Sequence, residues 1–128
     1  MADRKRILIA DDDPDLLDLI KTALGYQGHE IFTVSDGRQA LQTAISQKFD
    51  LVILDVMMPY IDGYHVAHEI SDKLGPQAPA ILIMTSRDAQ KEKGIALMSG
   101  AEEIIQKPFE ISKLQSKVLE LLGKSRAQ

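Results

Sequence analysis

The chain has 128 residues, 45% hydrophobic and 27% charged, a balance that excludes a disordered polymer and fits one globular domain. Its net charge of −4 and pI near 5.3 argue against direct nucleic-acid binding by bulk electrostatics, and the absence of cysteine excludes disulfides and thiolate metal sites. The early apolar run, Ile7-Leu8-Ile9-Ala10, is too short for a signal-peptide core or a membrane span, so a cytoplasmic protein with no membrane partner is expected.

Short apolar runs then alternate with longer amphipathic ones. Ile7 to Ala10 predicts a buried strand, closed by Asp11 and Asp12. Asp13 reads as an N-cap with Pro14 at the first helical position, followed by Leu16, Leu17, Leu19, Ile20, Ala23 and Leu24 at helical spacing. Gly25 and Gly28 mark the exit. Glu30 to Val34 predicts a second strand, and Ser35-Asp36-Gly37 opens a helix carrying Ala40, Leu41, Ala44 and Ile45. Leu51 to Leu54, flanked by Asp50 and Asp55, is the most strand-like run of all. A loop with Pro59 and Asp62-Gly63 leads into a third helix ending near Leu74-Gly75-Pro76. Ala80 to Met84 predicts strand four, Ala89 to Ser99 a polar helix, Glu103 to Gln106 a fifth strand, and Ile111 to Leu122 a last helix with Leu114, Val118, Leu121 and Leu122 on one face. After Leu122 only a short polar tail follows, so residues 1–128 read as a single domain with no output module.

Strands that are apolar throughout, separated by helices, imply a parallel sheet covered on both faces. Right-handed crossovers through five such units imply a flavodoxin-like (βα)5 three-layer sandwich with strand order 2-1-3-4-5. Ligands of that architecture sit beyond the carboxyl ends of the strands, at the switch point between strands one and three. Asp11, Asp12 and Asp55 fall at those ends, with Thr85 and Lys107 on the same edge. Three carboxylates, a hydroxyl and an ammonium gathered there would make a site for a divalent metal and a phosphoryl group. Taken singly, several of these residues have plain structural readings. Asp11 and Asp12 could be loop acids, although adjacent carboxylates repel without a metal. Thr85 reads equally well as a β-branched strand residue, and Lys107 as a solvated loop lysine. Asp55, an acid closing an apolar strand, favours function.

Taken together and in order, Ile7-Leu-Ile-Ala-Asp11-Asp12-Asp13, Asp55-Val-Met-Met-Pro-Tyr-Ile-Asp62-Gly63, Ile83-Met-Thr85-Ser86, Ser99-Gly100-Ala101 and Lys107-Pro108-Phe109 resemble the receiver domains of bacterial two-component response regulators. The resemblance runs from about Arg6 to Leu122. It implies that Asp55 is the nucleophile, taking a phosphoryl group from a sensor histidine kinase or histidine phosphotransfer protein to form an acyl phosphate. It further implies that Mg2+ is held by Asp12 and Asp55, by Asp11 largely through water, and by the backbone carbonyl of Met57. Lys107 and the Thr85 hydroxyl would then bind phosphoryl oxygens, with a cis bond before Pro108. The implied role is a phosphoacceptor signalling domain, catalysing only its own phosphotransfer and dephosphorylation, that acts on a downstream target protein or output domain.

Two other readings compete with this one. Asp11-x-Asp13 followed by Thr and Lys is similar to aspartate-nucleophile phosphatases, but that leaves Asp55 unexplained and no acidic pair follows Lys107. A phosphorylation-independent scaffold is disfavoured because every principal chemical residue is present. Asp13 and Asp15 read as a cap and a helix-dipole partner, Asp62-Gly63 as a turn and helix start. His65 and His68 stand at i, i+3 without a third ligand, and the methionines at 57, 58, 84 and 98 read as core or loop filler. The sequence departs from the receiver pattern at Ile104, where a Tyr or Phe is usual as a switch partner to Thr85, and at Ser86, usually Ala or Gly. Met57 and Arg87 lie where the family tunes phosphoryl lifetime. Ile104 therefore shifts the expected route of the conformational change towards the segment from Ser86 to Lys91.

Overall fold

A computed structural model describes residues 4–125. Five strands, β1 (Arg6–Ala10), β2 (Glu30–Val34), β3 (Leu51–Asp55), β4 (Ala80–Thr85) and β5 (Glu103–Gln106), alternate with helices α1 (Pro14–Tyr26), α2 (Gly37–Ser46), α3 (Gly63–Leu74), α4 (Ala89–Met98) and α5 (Ile111–Ser125). The sheet is parallel throughout and ordered β2-β1-β3-β4-β5, so the flavodoxin-like arrangement expected from the sequence is the one formed.

The apolar strands sort their side chains by parity. Leu8, Ala10, Val52, Leu54, Ile81, Ile83 and Ile104 face a core shared with Ala40 and Ala44 of α2 and Val66, Ala67 and Ile70 of α3. Ile7, Ile9, Leu51, Ile53, Leu82, Met84 and Ile105 face the opposite core with Ile20 and Leu24 of α1 and Leu114, Val118 and Leu121 of α5. Each fully buried Ile or Leu contributes roughly 1.5–3 kcal/mol, and both faces need a helix layer because neither has polar residues to show water. At the edge of the sheet, β2 keeps all five residues at least partly exposed.

Helix starts follow the acids. Asp13 accepts from the backbone N–H of Asp15 and Leu16 at α1, Asp36 from Gln39 at α2, Asp62 from His65 at α3, and Asp88 from Gln90 at α4. Several boundaries move by a residue or a few. Gly25 lies inside α1, and the left-handed turn comes at Gly28 (φ 96°). Strand β4 includes Thr85, and α5 continues past Leu122 to Ser125. Met98 is not filler: at 86% exposure it stands in solvent at the end of α4, while Met84 is fully buried. Among the described residues no helix is long and apolar enough to cross a membrane. Residues 1–3 and 126–128, the latter within the tail read above as polar, lie outside the described residues.

Candidate metal and phosphoryl site

Strand register assembles the site. Ala10 pairs with Leu54, so the next residues, Asp11 and Asp55, come side by side at the carboxyl ends of β1 and β3. Asp55 pairs with Met84 and Thr85 with Gln106, which brings Thr85 and Lys107 to the same edge. A carboxylate oxygen from each of Asp11, Asp12 and Asp55 lies within 4.8 Å of the others. The Lys107 ammonium reaches Asp11 at 2.7 Å and Asp55 at 3.1 Å, and the Lys107–Pro108 peptide is cis. Asp11 and Asp55 are buried and Asp12 is exposed. The remaining Asp11 oxygen accepts the Asp13 N–H at 2.9 Å.

Electrostatics follow from that crowding. Burial, then the charge of Asp11, raises the Asp55 pKa above the ordinary carboxylate value, and the Lys107 ammonium offsets this only in part. Burial alone would lower the Lys107 pKa, but its hydrogen bond to Asp11 and the charges of Asp11 and Asp55 outweigh that and raise it. The ammonium lies closer to Asp11, at 2.7 Å, than to Asp55, at 3.1 Å. Three carboxylates against one ammonium leave an acidic excess. A hard divalent cation relieves it, and the donors are all oxygen, which suits Mg2+ and not a soft metal.

Thr85 is also buried, but its hydroxyl is turned into a second network. It accepts the Arg87 N–H at 3.0 Å and donates to Glu92 Oε1 at 3.5 Å. The same Glu92 oxygen accepts the Tyr64 hydroxyl at 2.5 Å, and its other oxygen pairs with Arg87 at 3.2 Å. The Arg87 guanidinium also reaches the Met57 sulfur at 3.7 Å, so these two side chains touch each other. Neither Glu92 nor Tyr64 stood out in the sequence. A lone acid between Lys91 and Lys93, seven residues after Thr85, was the available signal.

Gly63 is more than a helix start. A Cβ there would lie 2.3 Å from the Asp55 carbonyl oxygen, so only glycine lets α3 begin against the end of β3. Ile104 is buried in the core on the α3 side, against which Tyr64 packs. His65 and His68 are exposed, and the acidic triad is the one metal-compatible cluster among the described residues. Asp13, the second acid of the phosphatase-like reading, is spent as the α1 cap.

Residues 7–119 match the family model described as the response regulator receiver domain. The chain belongs to that family. The receiver is 35% identical over 120 residues to response regulator MprA of Mycolicibacterium vanbaalenii, covering 94% of this chain and 51% of that protein. It thus spans about half the length of the curated relatives it matches. Among solved structures it is similar to response regulator TrrA of Thermotoga maritima, in complex with Mg2+ and BeF (37% identity, TM-score 0.81, covering 91% of this chain and 98% of that one). It is also similar to the receiver domain of sensor histidine kinase PA1611 of Pseudomonas aeruginosa, which holds magnesium in its active-site cleft (27% identity, TM-score 0.84, 94% and 99% covered). Receivers of response regulators are signalling domains, and the fold here agrees with those neighbours.

Proposed function

We propose that this receiver accepts a phosphoryl group on Asp55 from the phosphohistidine of a sensor histidine kinase or histidine phosphotransfer protein. The observation that carries the reading is the gathering of Asp55 with the Asp11 and Asp12 carboxylates and the Lys107 ammonium at one sheet edge. A carboxylate oxygen of Asp55 attacks phosphorus, the P–N bond to the imidazole breaks, and its electron pair returns to the ring nitrogen. Asp11, Asp12, Asp55 and the Met57 backbone carbonyl would hold Mg2+, which when bound supplies positive charge against the phosphoryl oxygens. Lys107 leaves its carboxylates to pair with a phosphoryl oxygen as a point charge. The Thr85 hydroxyl turns from Glu92 to donate to another. Phosphorylation then changes the conformation seen by a downstream target protein or output domain. A receiver with these partners would work in the cytoplasm.

Incubating the protein with a small phosphodonor and Mg2+ and weighing the intact chain tests this. Incorporation that disappears in Asp55→Ala and with chelator is the expected result. Wild-type incorporation in Asp55→Ala would overturn the assignment.

A further inference from the structure

The Thr85 hydroxyl, on the reading above, must reach a phosphoryl oxygen, yet it already has an acceptor. Glu92 Oε1 lies 3.5 Å away, at the outer limit for a hydroxyl donor, and the same oxygen accepts the Tyr64 hydroxyl at 2.5 Å. The second Glu92 oxygen holds the Arg87 guanidinium at 3.2 Å, and the Arg87 N–H donates to Thr85 Oγ1. One partly buried carboxylate therefore gathers groups from α3, the end of β4 and the β4–α4 segment. Among the described residues, no hydrogen bond or ion pair of this network reaches the acidic triad.

We infer that Glu92 is a positioning residue for the phosphoryl site: its carboxylate competes with the phosphoryl group for the Thr85 hydroxyl, and Tyr64 sets the strength of that competition. An ionised acceptor binds a hydroxyl more strongly than a neutral amide does, and an acceptor already satisfied by a close donor binds a further one less tightly. Two substitutions in one network should therefore act in opposite directions. Glu92→Gln weakens the hold on Thr85 and frees Arg87. Tyr64→Phe removes the closer donor and lets Glu92 draw the Thr85 hydroxyl in.

The test is the affinity for beryllofluoride at saturating Mg2+, read by 19F NMR, with Mg2+ affinity measured alone by calorimetry and folding checked by circular dichroism. Glu92→Gln should bind beryllofluoride at least threefold more tightly than wild type, and Tyr64→Phe at least twofold more weakly. In the Glu92→Gln background the Tyr64→Phe change should have no effect, and Mg2+ affinity should be unaltered in all three variants. A purely structural role predicts that both substitutions weaken binding together and in step with stability; that pattern, or unchanged affinities, would overturn the inference. Uptake by wild type that vanishes in Asp55→Ala, with variants unaffected, sinks the role of Glu92 alone. No uptake by wild type sinks the phosphoacceptor reading and this inference with it.

Discussion

The Lys107 ammonium lies 3.1 Å from an Asp55 oxygen, yet the Asp55 carboxyl is still pushed above its ordinary pKa, because burial and the neighbouring Asp11 outweigh that one cation. Gathering these acids costs energy, which a bound divalent cation would offset. Asp55→Asn is expected to raise the stability of the metal-free protein, by about 1 kcal/mol, since it removes one of three mutually repelling charges. Lys107→Ala should lower it by about 2 kcal/mol, leaving buried acids uncompensated. Urea unfolding followed by circular dichroism, with chelator present, checks both. The absence of tryptophan rules out indole fluorescence. Equal and same-signed changes would contradict the repulsion account.

Magnesium should reverse that cost. A ligand binding only the folded state adds about 2.7 kcal/mol at a hundredfold excess over its dissociation constant, equivalent to a rise of roughly 10 °C in melting temperature for a chain of this size. Asp12→Asn should remove most of that rise without lowering the metal-free melting temperature. A wild-type melt that ignores millimolar magnesium would count against the site.

The Tyr64–Glu92 contact predicts opposite pH limbs. Glu92 is held below the ordinary carboxyl value, first by the Tyr64 hydrogen bond. Its contribution to stability is therefore present above the unfolded pKa and lost as pH falls through the lower folded one. Tyr64 is raised above the phenol range by burial, then by Glu92. Its contribution is full below the unfolded pKa near 10 and lost as pH rises through the folded value. Stability measured against pH should lose part of its acid slope in Glu92→Gln and part of its alkaline slope in Tyr64→Phe. If each variant keeps the wild-type slope on its own limb, the coupling is absent.

Two glycines make a sharp comparison. Gly63→Ala would drive a Cβ to 2.3 Å from the Asp55 carbonyl oxygen, whereas Gly94, inside α4, has no atom within 4 Å of that position. The first should cost about 3 kcal/mol or more and disturb magnesium binding through Asp55. The second should stabilise by about 0.5–1 kcal/mol, as alanine relieves a helix-interior glycine. Thermal melts of the two variants decide it; a tolerated Gly63→Ala would mean that α3 can retreat from β3.

Ile104 is 6% exposed and part of a continuous core, so truncating it mixes packing with signalling. Ile104→Val is the cleaner probe. It should cost about 1 kcal/mol of stability while leaving beryllofluoride affinity within twofold of wild type. A large loss of that affinity would restore Ile104 as the partner of Thr85.

Apolar runs closed by acids determined most of this protein from sequence. Ile7 to Ala10, Leu51 to Leu54 and Ala80 to Met84 read as buried strands, each followed by a polar residue at the sheet edge. Parity sorts their side chains to two cores, and the topology of parallel crossovers places Asp11, Asp55 and Lys107 together. Local chemistry was equally legible at Asp13, Asp36, Asp62 and Asp88, where a cap needs only its own first turn. What the sequence could not hold was the partner of a side chain on a surface helix. Helix α4 buries only Ala96, so its pattern carries almost no orientation signal. Glu92 meets Tyr64 across 28 residues of chain because α3 and α4 share one core on the same side of the sheet. The close approach at Gly63 is likewise a distance between a helix start and a strand end, and the sequence records it only as an Asp-Gly turn. Periodicity encodes which face is buried; the docking of one element on another decides which polar atoms on that face find each other.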